Sequence, residues 1–436
     1  MNRSTEPDFD QRIADWLEDD PNLAPRQALE TVLAAYPSIP QRHTLRVPRR
    51  FSTMTLPFRI ATAAVIGVLV AGGALLLLRT VPGSIGGPAP SPSPATSPTT
   101  VAPSWTPAAS LGTGRVDFAA ATLADGRILI AGGSNEAGGL ASAEIYDPAA
   151  GTWTATGAMI QTRALHSLTR LSDGKVLAVG GGGDTSQAEM YDPATGIWTP
   201  TGRLTNGRFQ SMTALLPDGR VLVAGGTEGA TPMAAEIYDP ATGAWRLTGV
   251  MTEWRASSST TGLADGTVLV AGGFGQSPGG STSAEIYDPR TGAWTATESM
   301  ANARSDGQTS TLLGDGRVLV TGGGSATPEL YDPAKRTWTA TAAVETSAGE
   351  TATALPDGRV LIAGGLGADG TNAVTSATIF DPTANLWSGT LPMSDARLSG
   401  EAALLADGRV LVFGGSTTGG GGTYRASSEL YEPGRP

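Results

Sequence analysis

Apolar positions along the chain fall into two patterns. One is a single unbroken run, Ile60 to Leu78 (IATAAVIGVLVAGGALLLL), 19 residues without a charge. A helix of about 20 apolar residues spans the hydrocarbon core of a bilayer, so this run predicts one transmembrane helix over 60–78. The other is a short run such as RILIA at 127–131, which returns at regular intervals downstream. It is apolar on both sides of the pleat, as a strand packed between neighbouring sheets requires. Upstream of the long run the period is helical: Phe9, Ile13, Trp16 and Leu17 share a face after a capping Asp8, and Leu29, Val32, Leu33 and Tyr36 share one after Pro25. Residues 1–59 are therefore expected to carry two short amphipathic helices.

From residue 105 onward a unit repeats. Asp-Gly followed by Arg, Lys or Thr begins at Asp125, Asp173, Asp218, Asp265, Asp315, Asp357 and Asp407, at intervals of 48, 45, 47, 50, 42 and 50 residues. Each is followed by the apolar run and a double glycine, from Gly132-Gly133 to Gly414-Gly415. Tyr-Asp-Pro or a close variant comes next, at Tyr146, Tyr191, Tyr238, Tyr287, Tyr331, Phe380 and Tyr431. Seven residues after each of the first six stands a tryptophan: Trp153, Trp198, Trp245, Trp294, Trp338 and Trp387. Turn chemistry divides the unit into four short strands, a to d. Strand a ends at the DG turn, b is the apolar run, c carries the tyrosine, and D-P-A-T-G turns the chain into d, which carries the tryptophan. One blade per repeat gives seven blades. The last repeat lacks its tryptophan strand, whereas WTPAASL at 105–111 matches WTPTGRL at 198–204. Strand d of the last blade is thus expected from the amino end, closing the ring and removing two open sheet edges.

Double glycine, tyrosine and tryptophan at this spacing resemble the Kelch repeat, over residues 105–436. The resemblance implies an all-β, seven-bladed Kelch-type β-propeller closed by an amino-terminal strand. Copper-radical galactose oxidases share the repeat, but their metal site needs histidines and a cysteine-modified tyrosine. This chain has no cysteine and only His166 in the propeller. That activity is not expected, and no catalytic residue, metal or other cofactor is assigned. The run from Asp8 to Pro37, followed by arginines and one span, resembles the inside segments of some bacterial membrane proteins with outside propellers. The layout also resembles anti-sigma regulators, without the His and Cys pattern of their zinc-binding class.

Arg42, Arg46, Arg49, Arg50 and Arg59 precede the apolar run and only Arg79 follows it, which places the amino-terminal side in the cytoplasm and the propeller outside. A cleavable leader is a poor alternative, because almost sixty residues precede the run. Residues 79–104 are rich in Pro, Ser and Thr and read as an extended stalk, reaching up to about 70 Å. The net charge is −11; with nine basic and eight acidic residues in 1–104, the remainder carries 20 basic against 32 acidic. A partner bound through phosphates needs a basic face, so nucleic acid is not expected. Without cysteine, disulfides and thiolate chemistry are excluded and packing must stabilise the fold.

By strand direction, turns a–b and c–d lie on one face and loops b–c and d–a on the other. The turns are monotonous. The loops vary, as GGSNEAGGLAS, GGFGQSPGGSTS and GGSTTGGGGTYRASS illustrate, which marks theirs as the ligand face. Near the start of strand a stand Arg115, Arg163, Arg208, Arg255, Arg304 and Arg397, with Ser347 in the sixth blade. Such a ring could form an anion-binding mouth, and the Kelch resemblance adds that some substrate adaptors recognise acidic peptides through arginines. Two residues before each tyrosine, however, lie Glu144, Glu189, Glu236, Glu285, Glu329 and Glu429, and the blade that lacks the arginine has Thr378 there. Losing both together predicts an internal Arg–Glu pair. Residues that break the repeat near the loop face complete the candidates: Asp117, Phe118, His166, Phe209, Gln210, Glu253, Trp254, Asp306, Tyr424 and Arg425. Trp254 suits either a ligand contact or a cap over its blade. The expected function is a membrane-anchored, extracytoplasmic binding or sensing protein for a protein or glycan, with residues 8–36 open to a cytoplasmic partner. The alternatives are a carbohydrate-active hydrolase or lyase using loop carboxylates and an anti-sigma-like regulator.

Overall fold

At each DG pair the chain must reverse within two residues, and the geometry shows how. In the first, the Leu123 N–H donates to the Arg127 carbonyl at 2.8 Å, Gly126 sits at φ 86°, and the Asp125 carboxylate accepts the Arg127 N–H at 3.1 Å. A side chain at Gly126 would strain that left-handed conformation. The computed structural model describes residues 102–434 apart from 227–233, 276–278, 347 and 420–421. The segment 1–59, the apolar run 60–78 and nearly all of the stalk lie outside the described residues. Among the described residues, no helix is long and apolar enough to cross a membrane.

Seven four-stranded antiparallel sheets make the domain. In the first blade the order from the axis outward is Ala119–Thr122, Ile128–Ala131, Ala143–Asp147 and Thr152–Thr156, the predicted a to d. The second strand is wholly buried in every blade, which explains its unbroken apolarity. Seven hydrophobic clusters fill the crevices between successive blades. On strands c and d the tyrosine, or Phe380, faces its tryptophan across the ladder, with ring centroids 4.8–5.1 Å apart. Several tryptophans also reach back to the preceding blade: the Trp198 Nε1–H donates to the Gly157 carbonyl at 2.9 Å, and Trp245 does the same to Gly202 at 2.8 Å.

Closure follows the expected route. Strand Ser104–Ala108 pairs with Ser428–Glu432, placing Trp105 opposite Tyr431, and the Trp105 Nε1–H donates to the Leu391 carbonyl at 2.7 Å. The chain enters the propeller on the face of the DG turns, because this strand runs from that face toward the loops.

Candidate functional site

Six of the candidate residues turn out to be internal. Arg115, Arg163, Arg208, Arg255, Arg304 and Arg397 are at most 2% exposed. Each pairs with the glutamate on strand c of its own blade (Glu144, Glu189, Glu236, Glu285, Glu329, Glu429) at 2.8–3.2 Å. Each Nη1 also donates to the carbonyl of the blade's first double-glycine residue at 2.7–3.1 Å. The glutamates in turn accept backbone N–H groups of the d–a loop at 2.6–2.8 Å, as from Ile160 to Glu189 and Thr252 to Glu285. One ion pair thereby staples the d–a loop, the glycine turn and strand c together. The arginines do not line a mouth, and the anion-binding alternative loses its donors. In the sixth blade Thr378 is half-buried in strand c, while Ser347 lies outside the described residues.

The residues that do surround the axis form a ring not singled out in the sequence. Asp117, Leu165, Gln210, Ser257, Gly307, Gly349 and Ser399 each lie eight positions before their DG aspartate. All seven have φ between 51° and 66°. Left-handed backbone is costly for residues other than glycine and gathers at sites where the surroundings enforce it. The enforcing contacts here are main-chain hydrogen bonds from blade to blade: Leu165 N–H to Asp117 carbonyl at 2.8 Å, Gln210 to Leu165 at 3.2 Å, Ser257 to Gln210 at 3.0 Å, Gly349 to Gly307 at 2.7 Å, and Ser399 to Gly349 at 2.8 Å.

Inside this ring opens a cavity of about 280 Å³, lined also by Asp306, Glu350, Glu401 and His166. Side chains one position beyond the ring press into the crevices between blades, where double glycines leave room. A Cβ on Gly132 would lie 2.7 Å from His166 Cε1, and one on Gly322 would lie 2.7 Å from Glu350 Oε1. His166 is buried, and burial with the nearby Arg163 charge lowers its pKa to about 3, so it is neutral. Burial raises the carboxyl pKa of Asp117, with the charge of Asp306 adding to it, and that of Glu350, against its own N–H, the Thr321 hydroxyl and Arg304. The half-buried Glu401, on inner strand Glu401–Leu404, is pushed up to about 7 by burial.

Of the remaining candidates, Asp117 and Gln210 belong to the ring and Asp306 is exposed at its rim. Phe118 is buried against Phe413 at the junction of the first and last blades, centroids 5.9 Å apart. The Trp254 Nε1–H donates to the Gly226 carbonyl at 3.0 Å, which holds the indole down on the blade before it. The Glu253 carboxylate accepts the Ser283 hydroxyl at 2.5 Å, and Phe209 is half-buried. Tyr424 and Arg425 stand apart on the last b–c loop, where Arg425 pairs with Asp395 at 3.3 Å. Glu350 and Glu401 are site residues the repeat pattern did not pick out.

A pH test follows from Glu401. Its folded pKa lies above the ordinary carboxyl value of 4.5, so its contribution to stability is fully present below about 4.5 and is lost as pH rises through about 7. Asp117 and Glu350 act in the same direction. Urea midpoints at pH 5 and pH 8 should show the protein losing stability at the higher pH. Glu401→Gln should remove about 1–2 kcal/mol of that loss, the channel's water weakening the full effect. An unchanged pH dependence in Glu401→Gln contradicts the assignment.

Two stretches of the chain, 115–159 and 255–301, match the Kelch motif. No curated protein matches the chain. Among solved structures, one described as a novel fungal alcohol oxidase with catalytic diversity among the AA5 family, in complex with copper, is similar at 18% identity. The match has a TM-score of 0.63 and covers 76% of each chain, and at that identity it speaks to the fold alone. The chain carries the Kelch motif, in a seven-bladed β-propeller.

Proposed function

We propose that this protein is a membrane-anchored, extracytoplasmic binding or sensing protein that recognises a protein or glycan through the loop face of its propeller. One observation carries the reading: the faces differ. On the face where the chain enters, the same DG and DP turns recur blade after blade, whereas the opposite face combines loops of varied length with a ring of held backbone and an axial cavity. Variable loops on a rigid frame are the usual arrangement of a recognition surface.

The copper named for the similar oxidase does not carry over. The chain has no cysteine, the propeller has one histidine with both ring nitrogens buried, and among the described residues no three His, Cys, Asp or Glu side chains converge as metal ligands do. A second reading, glycan hydrolysis, has a specific observation in its favour, the axial carboxylates with raised pKa. Incubating the full chain with cell-envelope glycans and proteins separates the two. Binding is expected to retain a ligand with no rise in reducing ends. A rise in reducing ends that disappears in Asp117→Asn overturns binding in favour of hydrolysis. The topology has its own test: a protease added to intact cells should cut the proline-rich stalk and shed a whole propeller. A propeller protected in unbroken cells reverses the orientation.

A further inference from the structure

The axial cavity has a charge that nothing around it balances. Asp117, Asp306, Glu350 and Glu401 line it, and among the described residues no lysine or arginine does. The guanidinium groups nearest in the sequence are committed to the glutamates of their own blades. Two side chains on its wall are also left short of partners. His166 is 8% exposed with no hydrogen-bond partner on either ring nitrogen, and Glu350 is 3% exposed with only the Thr321 hydroxyl and its own N–H near its carboxylate. Buried polar groups are nearly always satisfied, so under-satisfied groups beside an acidic cavity point to a group that arrives from outside.

We propose that the cavity receives a single basic side chain, a lysine ammonium or arginine guanidinium, presented by a protein that docks on the loop face. This rests on the binding reading above and names the chemistry of its centre. Volume and lining agree with it. At about 280 Å³ the cavity holds one long unbranched side chain with a few waters. Carboxyl-bearing residues of the first, fifth and seventh blades line the cavity from different sides, as an ammonium with three donors requires. A sugar is less suited, because among the described residues the only benzene or indole ring on the wall is Phe118, which is 6% exposed and packed on Phe413. No aromatic platform is left for a pyranose to stack on.

The test is calorimetric titration of the full chain in detergent with acetyl-Gly-Lys-Gly-amide, its norleucine and glutamate counterparts, and putrescine. The lysine peptide should bind at least about tenfold more tightly than the norleucine peptide, which keeps the stem and drops the charge. The glutamate peptide should not bind. Asp117→Asn and Glu401→Gln should each weaken the lysine peptide by roughly tenfold while the thermal midpoint at pH 7 falls by no more than a few degrees. Equal binding of the norleucine peptide, or full affinity in both variants, overturns the proposal. Binding of putrescine without the lysine peptide overturns its protein source. If the full chain retains an envelope ligand while Asp117→Asn retains it equally well and no peptide binds, recognition through the loops stands and the cavity assignment falls.

Discussion

Arg163→Ala is expected to lower stability by about 3–5 kcal/mol, the cost of leaving one member of a buried ion pair without its partner. Arg163 is 0% exposed and its guanidinium is 2.9 Å from Glu189, so removing it strands a carboxylate inside the second blade. It also removes the 2.7 Å bond to the Gly180 carbonyl that holds the double-glycine turn. Glu189 keeps its loop contact to the Ile160 N–H, so the loss stops short of local unfolding. In a double-mutant cycle with Glu189→Gln, coupling of roughly 0.5–3 kcal/mol is expected, because the two groups share one network. Arg163→Lys should recover only part of the loss, since an ammonium cannot span the glutamate and the carbonyl as the guanidinium fork does. Denaturant midpoints of the four variants check this, and additive losses contradict the pair.

Deleting residues 104–108 is expected to act more severely, and in a different way. The last blade would lose its outer strand, exposing the backbone of Ser428–Glu432 as an open edge. It would also lose Trp105, whose ring lies 5.0 Å from Tyr431 and whose indole N–H ties the last blade to the Leu391 carbonyl. Trp105 is half-buried, so Trp105→Ala alone should cost about 2–3 kcal/mol, below the full cost of a core tryptophan. The deletion should exceed that and add concentration-dependent aggregation, which the point variant lacks. Trp153→Ala in the first blade provides the comparison for losing a tryptophan without opening an edge. A deletion that melts like the intact chain contradicts closure by the amino-terminal strand.

What could be read from the residues depended on whether neighbours in sequence or neighbours in space set their role. The blades were legible because DG, double glycine, tyrosine and tryptophan each impose a local geometry, and the unmatched WTPAASL needed only the missing strand to be noticed. The Arg–Glu staples were legible through the sixth blade, where Ser347 and Thr378 replace both partners. The cavity was not. Glu401 in the segment EAAL reads as the solvent-facing position of an alternating strand, and only its place on the innermost strand turns it toward the axis. The left-handed ring shares one offset from the DG turn, yet its side chains run from Asp to Leu to Gly, so the common feature is a backbone angle that residue identity does not announce.

Recognition through the loop face is tested most directly by site-specific photocrosslinking in living cells with the full chain. A photoreactive phenylalanine analogue is placed at Asp306 or Tyr424 on the loop face, and at the exposed Ala241 or Thr383 on the opposite face. A discrete adduct is expected from Asp306 or Tyr424 and none from Ala241 or Thr383. An adduct formed only from Ala241 or Thr383 would place recognition on the repeated turns and contradict it.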